Sequence, residues 1–325
     1  MAKIGIVGGA GFVGSHIANA LRESGCEVTI YDIVDPKIEG VKFVKKDITK
    51  DPLDDLGEND VIIHTAIIQI PKINQVPDLA YRVNIVGTQR VCEECMRSTK
   101  TVGFILAGSW HVYGEFIEGI ITEDYGYNPE KTDERARLYA YSKMGQEVIV
   151  KFYGAMTKDK KSYIIIRMGT VLGEGMPEKT AANIFINNAL NGKPITPYKH
   201  SMYRPMLYVD IQDVCNLYVK AVEKILSNEP LKYDVFHIFY PEPTTILDLA
   251  EIVKKNVEEL TENKIRPTIE IVDKNIPILY PSDMASKIRG DISRIREVFK
   301  IEKLRHPSET IRRLIEQKLS KIHQA

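Results

Sequence analysis

The sequence predicts an α/β protein built on a doubly wound parallel sheet, together with a smaller domain of mixed α and β structure. In the first half of the 325 residues, short apolar runs of β-favouring residues alternate with amphipathic stretches of helical length, which is typical of βαβ units. In the second half, proline and glycine interrupt the pattern more often. At about 150 residues per domain, the length also fits two domains. We therefore predict a sheet domain over residues 1–172, with late strands from 205–240, and an interleaved smaller domain over 173–325.

The individual elements follow from the period of the apolar residues and from the turn residues between them. The predicted strands are Lys3–Val7, Glu27–Tyr31, Lys42–Lys45, Val61–His64, Val102–Leu106 and Tyr163–Arg167. The predicted helices are Val13–Ser24, Leu79–Ser98, Leu138–Met156, Ala181–Leu190, Ile211–Leu226, Ile246–Glu259 and Glu309–Ser320.

The composition narrows the class of protein. Forty-four basic residues balance forty-four acidic ones, and no basic stripe is long enough to follow a phosphate backbone, so nucleic acid is not an expected partner. No run of about 18 apolar residues is present, so no membrane is expected either. Four cysteines in a chain of this length predict thiols in a cytoplasmic protein rather than a disulfide framework. A signal peptide ending near Ala18-Asn19-Ala20 is the alternative for the first residues, but their glycines fit a phosphate loop better.

A glycine motif joins the first predicted strand to the first predicted helix. Gly8, Gly11 and Gly14 form G-x-x-G-x-x-G, in which the missing side chains let the backbone turn tightly and approach a pyrophosphate at the positive end of a helix. Asp32 follows Gly14 by eighteen residues, close to the spacing of about 20 at which a carboxylate binds the adenosine ribose. No Arg or Lys follows before Lys37, so NAD is favoured over NADP. The alternative is an ordinary tight turn with a solvated Asp32.

Three side chains are candidates for proton transfer. Tyr139 and Lys143 lie one turn apart on the same face of the predicted helix Leu138–Met156. A neighbouring ammonium and an oxidised nicotinamide would both lower the pKa of the phenol, which is about 10 when unperturbed. Ser109 follows the predicted strand Val102–Leu106, where the carboxyl ends of parallel strands border the ligand crevice, and its hydroxyl can bind the same substrate oxygen. Both residues of the Tyr-x-x-x-Lys pair would be surface residues in another context, but behind a dinucleotide loop the catalytic interpretation is favoured.

These residues, with others in the same order, resemble the extended short-chain dehydrogenase/reductase family, and in particular its nucleotide-sugar epimerase and dehydratase branch. The resemblance covers nearly the whole chain. It is carried by Gly8 to Gly14, Asp32, Asp47-Ile48, His64-Thr65-Ala66, Asn84 with Gly87-Thr88, Ser109 with Val112-Tyr113-Gly114, Tyr139 with Ser142-Lys143, Arg167, Val171, Gly173, Arg204 with Val209-Asp210, Asp213-Val214 and Asp291.

The resemblance implies a Rossmann sheet that binds NAD, with Tyr139 as the catalytic acid and base. Ser109 would assist the reacting hydroxyl, and Lys143 would bond the nicotinamide ribose. Asp47 and Ile48 would flank the adenine, whereas Asn84 would lie near the cofactor. The predicted cofactor contacts are Gly8, Gly11, Phe12, Val13, Gly14, Asp32, Asp47, Ile48, Thr65, Ala66, Asn84, Tyr139 and Lys143.

Four residues are predicted to face the substrate: Trp110, His111, Thr170 and Arg204. Arg204 matches an arginine that often contacts the substrate diphosphate, and the alternative is a surface salt bridge. Thr170 stands where many relatives have an asparagine that helps to hold the phosphates.

Trp110 and His111 replace an Asp-Glu pair that dehydrating relatives carry, which disfavours 4,6-dehydration. We interpret both as bordering the substrate pocket, with His111 bonding a hydroxyl or phosphate and Trp110 presenting an apolar face to the sugar ring. The alternative is that Trp110 fills the core and His111 caps a backbone carbonyl.

The predicted reaction is hydride abstraction from a secondary carbinol by bound NAD, while Tyr139 removes the hydroxyl proton. If the ketone rotates and the hydride returns to its other face, the protein is an epimerase of a nucleotide-linked sugar, of the UDP-hexose 4-epimerase type. If the ketone leaves, it is a dehydrogenase of another secondary alcohol. A non-catalytic NAD-binding regulator is a third possibility. The resemblance also implies a homodimer formed through Leu79–Ser98 and Leu138–Met156.

Two further features are assigned no chemistry. Cys92 and Cys95 form C-x-x-C inside a predicted helix rather than at its start, and His64 has no metal partner in view. We therefore predict no metal site.

Overall fold

A parallel sheet is the central feature of the computed structural model, which describes residues 1–157, 160–227 and 229–324. The strands are β1 Lys3–Val7, β2 Glu27–Asp32, β3 Lys42–Lys45, β4 Val61–His64, β5 Gly103–Ser109, β6 Gly119–Ile121, β7 Ser162–Met168, β8 Thr170–Leu172, β9 Pro205–Met206, β10 Tyr208–Asp210, β11 Val235–Ile238, β12 Thr244–Thr245 and β13 Ile288–Gly290. In the described part of the chain, seven of them form one sheet in the order β11-β7-β5-β4-β1-β2-β3, with every pair parallel. This arrangement confirms the predicted doubly wound α/β fold.

Helices cover both faces of this sheet. They are α1 Phe12–Glu23, α2 Lys72–Gln75, α3 Pro77–Tyr81, α4 Thr88–Arg97, α5 Glu134–Thr157, α6 Ala181–Leu190, α7 Ile211–Leu226, α8 Ile246–Leu260, α9 Ser293–Phe299 and α10 Pro307–Gln324. One apolar core contains buried residues of α1 and α7, and a second contains those of α4 and α5. Because both faces are covered, the inner strands are apolar along nearly their whole length, which is why their bounds could be predicted closely.

Three strands, β2, β5 and β7, are longer than predicted, and the extensions of β2 and β5 matter for the site. β2 includes Asp32, and β5 continues to Ser109, so each of these residues ends a strand of the main sheet. Within the sheet, Val7 of β1 pairs with His64 of β4, which pairs with Leu106 of β5. The carboxyl ends of these strands therefore lie at one edge.

The predicted helix Leu79–Ser98 is wrong in its first half. The chain there forms α3, then a π-helical turn over Arg82–Gly87, and only then α4. A Cβ on Gly87 would lie 2.6 Å from Cδ1 of Ile48, so the glycine allows this turn to pack closely against the Ile48 side chain. The apolar period of the sequence is satisfied by either geometry, so it does not separate a π turn from a continuous α-helix.

The second half of the chain returns to the main sheet and also forms small sheets of its own. β11 pairs with β7 and so extends the main sheet at its edge. Short pairs join β8 with β10, β6 with β13, and β9 with β12. Within the described ranges, none of the helices is both long enough and apolar enough to span a bilayer.

A buried ion pair fixes α5 against the sheet. Arg167 of β7 is 2% exposed, and its Nε and Nη2 donate to the carboxylate of Glu147 of α5 at 2.7–3.0 Å. Its Nη1 also donates to the hydroxyl of Tyr113 and, at 2.9 Å, to the backbone oxygen of Glu123. The guanidinium thus ties α5, the segment after β5 and the sheet together.

We expect Arg167→Met to destabilise the protein by about 3–5 kcal/mol, because it leaves the Glu147 carboxylate buried without its cation. Urea unfolding measures this change. Arg312→Met is the control, since Arg312 pairs with Glu259 and Glu316 while 44% exposed, and should cost less than about 1 kcal/mol. Equal losses in the two variants would contradict the proposed anchoring role.

Candidate active site

A cleft opens at the carboxyl ends of β1 and β4, where the strand order reverses direction. Ligands bind at such switch points in open α/β sheets. The cavity has a volume of about 760 Å³, which is within the range of small-molecule and cofactor sites. The predicted site residues that line it are Gly8, Gly11, Phe12, Val13, Gly14, Asp32, Asp47, Ile48, Thr65, Ala66, Ser109, His111, Tyr139 and Thr170. Asn84, Trp110, Lys143 and Arg204 lie outside this lining.

The glycine loop between β1 and α1 has the close approaches that its sequence predicts. Gly8 has φ +79°, and a Cβ there would lie 2.4 Å from the backbone of Ala66. A Cβ on Gly14 would lie 2.8 Å from the backbone oxygen of Gly8. In the described residues, no side chain caps the N-terminus of α1, so the first amides of this helix face the cleft free of side-chain partners. Free amides at the positive end of a helix form a site for a pyrophosphate, and the loop therefore fits a dinucleotide.

The two acidic residues of the cleft are held by backbone amides. Asp32 Oδ2 accepts from the amide of Ala10 at 3.0 Å, which ties the end of β2 to the glycine loop. Asp47 Oδ1 accepts from the amide and hydroxyl of Thr49 at 2.9 and 2.7 Å. Partial burial acts to raise the pKa of Asp47, but these hydrogen bonds and the charge of Lys50 bring it below its ordinary value. Both carboxylates are thereby fixed in direction before a ligand arrives.

Asn84 does not line the cleft, but it forms hydrogen bonds with Ile68, which does. Its Oδ1 accepts from the amide of Ile68 at 2.7 Å, and its Nδ2 donates to the backbone oxygen of Ile68 at 3.2 Å and to the hydroxyl of Ser142 at 3.2 Å. Ile68 itself lines the cavity. Asn84, which lies in the π-helical turn, therefore links the cavity wall to α5.

Ser109, Tyr139 and Lys143 meet at one end of the cleft. Ser109 ends β5, while Tyr139 and Lys143 lie one turn apart on α5. Nζ of Lys143 donates to the backbone oxygen of Ala107 at 2.7 Å and lies 6.0 Å from the centre of the Tyr139 ring. The structure thus brings the three residues together, as the sequence predicted.

The electrostatics of this trio differ from the prediction. Burial raises the pKa of Tyr139 to about 12, and a hydrogen-bonding interaction with Ser109 opposes that rise. Burial also lowers the pKa of Lys143 to about 7, although the nearby carboxylate of Glu147 acts to raise it. The expectation that Lys143 lowers the pKa of the phenol is therefore not met by the protein's own groups, because the loss of water around both side chains is the larger effect.

Trp110 and His111 occupy different environments. Trp110 is 2% exposed and belongs to the larger apolar core, so the structure places it inside the protein rather than against a sugar ring. His111 lines the cavity, and its Nδ1 lies 3.1 Å from Oγ of Ser109. Its ring meets that of Tyr139 edge to face, with 5.5 Å between the centres. Only the second residue of the pair therefore faces the cleft.

Arg204 forms an ion pair that the sequence did not indicate. Its Nη2 donates to the carboxylate of Glu115, which is 3% exposed and also accepts from the hydroxyl of Tyr280. In the described residues, Nε of Arg204 is buried and has no hydrogen-bond partner. The side chain is 16% exposed, so this is not the surface salt bridge of the alternative interpretation. The position of Glu115, directly after Val112-Tyr113-Gly114, was the only sequence signal that could have drawn attention to it.

The two features without assigned chemistry are also buried. Nε2 of His64 lies 2.8 Å from Oγ1 of Thr88, and burial lowers the pKa of His64 to about 3. Cys92 and Cys95 lie on the buried face of α4, and burial raises the pKa of Cys95 to about 11. Across the ranges that the structure describes, no group of three or more His, Cys, Asp or Glu side chains is placed to hold a metal ion.

The fold and the cleft define an α/β enzyme that uses a dinucleotide. Residues 4–235 match the model of the NAD dependent epimerase/dehydratase family. The chain belongs to this family, which confirms the resemblance, the NAD cofactor and the assignment as an enzyme.

Two related proteins carry the names of different substrates. A putative UDP-glucose 4-epimerase of Methanocaldococcus jannaschii is 30% identical over 270 residues, which cover 78% of this chain and 81% of that protein. UDP-glucuronate 4-epimerase 1 of Arabidopsis thaliana is 26% identical over 284 residues, which cover 78% of this chain and 64% of that protein. The chain thus spans less than two thirds of the plant relative.

Solved structures share the fold over almost the whole chain. MoeE5 in complex with UDP-glucose and NAD has a TM-score of 0.79 at 21% identity, covering 99% of this chain and 100% of that one. UDP-glucuronic acid 4-epimerase from Bacillus cereus, in complex with UDP-glucuronic acid and NAD, has a TM-score of 0.75 at 24% identity, covering 97% of this chain and 99% of that one.

We expect Gly8→Ala to weaken NAD binding at least about tenfold, because its Cβ would collide with the backbone of Ala66 in addition to straining a left-handed residue. Isothermal titration calorimetry measures the affinity. Gly25→Ala is the control, because Gly25 also has a positive φ of +89° but has no described atom within 4 Å of its Cβ. An unchanged NAD affinity in Gly8→Ala would contradict the role of the loop.

Proposed function

We propose that the protein is an NAD-dependent 4-epimerase of a UDP-linked sugar. The observation that carries the proposal is the meeting of Ser109, Tyr139 and Lys143 at one end of a cleft whose other end is a dinucleotide loop. Relatives named as 4-epimerases of UDP-glucose and of UDP-glucuronate support the sugar nucleotide as substrate. Both ends of the cleft are needed, because the chemistry requires hydride and proton to leave neighbouring atoms of one carbinol.

The cofactor site would use the residues that line the cleft. The amides of Phe12 and Val13 and the glycines around them face the pyrophosphate, Asp32 accepts from ribose hydroxyls, and Asp47 and Ile48 flank the adenine. Thr65 and Ala66 contact the cofactor from the end of β4. NAD, when bound, accepts the hydride and adds a positive charge to this end of the site.

The chain's own residues would handle the proton. Tyr139 takes it from the substrate hydroxyl, which requires the phenolate that burial disfavours. The ammonium of Lys143 stabilises that phenolate when the lysine is protonated. The hydroxyl of Ser109 donates to the reacting oxygen and holds it in place. When the ketone has rotated, Tyr139 returns the proton to the same oxygen as the hydride returns to carbon.

The substrate end would be formed largely by residues 173–325, together with the segment after β5. Arg204 would have to turn away from Glu115 to reach the diphosphate, because it lies outside the cavity lining and its Nε is buried. Thr170 supplies a hydroxyl in the cavity lining. His111 faces the sugar.

The primary test is incubation of the protein and NAD with UDP-sugars, following sugar identity and reduced cofactor together. We expect a 4-epimeric sugar to form without accumulation of NADH. Steady accumulation of NADH would instead indicate a dehydrogenase, and NAD binding without any turnover would indicate a regulator.

Tyr139→Phe should lower kcat about 10²–10⁴-fold and leave NAD affinity unchanged, because it removes the proton carrier and little else. Tyr141→Phe is the matched control on the same helix. The hydroxyl of Tyr141 donates to Glu130 away from the cleft, and its loss should change kcat less than about twofold. Full activity in Tyr139→Phe would refute the assigned role of the phenol.

We further propose a homodimer formed through α4 and α5. An apolar stripe runs along α5 at helical spacing, and its side chains stay exposed: Leu138 47%, Tyr141 36%, Val148 52%, Phe152 57% and Met156 51%. A contiguous exposed apolar surface of this kind is typical of a protein interface. Separately, all four cysteines are free thiols in the described structure, which supports a cytoplasmic location.

Phe152→Glu should convert the dimer to a monomer of 36.9 kDa, because it buries a carboxylate in the apolar contact. Light scattering at micromolar concentration measures the mass. Ile184→Glu is the control, since Ile184 is 39% exposed on α6 and should leave the mass unchanged. A monomeric wild-type protein would overturn the dimer.

A further inference from the structure

His111 lies between the catalytic serine and the open cavity. It follows β5 in a single 3-10 turn, Trp110–Tyr113, so its backbone is held directly beyond Ser109. Its ring lines the cavity and packs edge to face on Tyr139. Nδ1 lies 3.1 Å from Oγ of Ser109, while Nε2 makes no hydrogen bond to any residue in the described ranges. The two ring nitrogens therefore face different partners, one in the protein and one in the cleft.

The hydrogen bonds of Ser109 distinguish the two neutral forms of this ring. Oγ of Ser109 already accepts from the backbone amide of His111 at 3.3 Å. If Nδ1 carries no proton, Ser109 donates its hydroxyl hydrogen to Nδ1, and this hydrogen is not available to Tyr139 or to a substrate. If Nδ1 carries the proton, both lone pairs of Oγ are occupied, and the only hydrogen of the serine points to the phenol or to the reacting oxygen.

The second form agrees with the proposed reaction. That reaction needs a donor at the oxygen that becomes a carbonyl. An imidazole that has its proton on Nδ1 leaves a lone pair on Nε2, facing the cavity.

We propose that His111 acts as the Nδ1-protonated neutral imidazole, which orients the Ser109 hydroxyl toward the reacting oxygen and leaves Nε2 as an acceptor at the cleft. The inference rests on the proposed function and makes His111 a positioning residue that acts through Ser109. A hydroxyl of a bound sugar can donate to Nε2.

The surroundings of His111 keep the ring uncharged. Burial, and secondarily the positive charge of Arg204, lower the pKa of His111 to about 3. The ring therefore stays uncharged near neutral pH. The charge of Arg204 is itself matched by the buried carboxylate of Glu115.

The tautomer can be measured without any substrate. The protein has seven histidines, so ¹⁵N-labelled histidine gives a small set of long-range ¹H–¹⁵N correlations, and the spectrum of His111→Asn identifies those of residue 111. We expect Nδ1 protonated and Nε2 unprotonated at neutral pH in the NAD-bound protein. An Nε2-protonated ring, or an imidazolium, would overturn the inference.

Kinetics test the orienting role by comparing two variants. The amide of His111→Asn reaches the position of Nδ1 and can donate to Ser109, but it lacks Nε2. This variant should keep kcat for the UDP-sugar that the wild type converts within about tenfold of the wild-type value, while its KM rises. His111→Ala should lose about 100-fold in kcat, because Ser109 loses its orienting donor.

One kinetic result would contradict the inference: an Asn variant no more active than the Ala variant, although both melt like wild type. Failure of wild type on every UDP-sugar would instead refute the proposed function, and the NMR result on the tautomer would still stand by itself.

Discussion

The buried ion pair between Arg167 and Glu147 is the constraint on which the site depends. Glu147 lies one turn beyond Lys143 on α5, so the bond that locks this helix to β7 also sets the depth and rotation of Lys143 and Tyr139. The same guanidinium reaches Tyr113, which closes the turn that carries His111. The guanidinium of Arg167 thus fixes α5, which carries Tyr139, relative to the end of β5, which carries Ser109. Neither of these two contacts, with Glu147 and with Tyr113, lies inside the cleft.

Burial shifts the pKa values of the groups around the cleft in opposite directions. It raises the pKa of Tyr139 to about 12 and lowers that of Lys143 to about 7, so the dry site favours the neutral form of each. The phenol therefore depends on positive charge to become a base. Where water is excluded, a correctly aimed hydroxyl has a large effect, which is why the nitrogen that holds Ser109 matters. For His111, burial keeps the ring neutral, so that only one of its two nitrogens carries a proton.

The sequence was most informative where a function depends on residues close together in the chain. The glycine loop, Asp32 and the Tyr139–Lys143 pair depend on local geometry, and the structure places all of them except the buried Lys143 in the lining of one cleft with Ser109. The sequence did not decide whether Trp110 lies in the core or in the substrate pocket, because the burial of a residue after a strand depends on elements that are distant in the chain. The Arg204–Glu115 pair joins positions 89 residues apart, and the hold of Asn84 on Ile68 depends on a π turn that the apolar period does not reveal. The same local cues could not tell which ring nitrogen of His111 faces Ser109.

The central claim is that a hydride leaves the sugar and returns within one closed cleft, while Tyr139 moves the proton. The most direct measurement uses UDP-glucose deuterated at C4, incubated with the NAD-bound protein and analysed by mass spectrometry and NMR. The account predicts a 4-epimeric product that retains the deuterium at C4, with none released to water. Deuterium lost to solvent, or equal conversion by protein stripped of NAD, would contradict it.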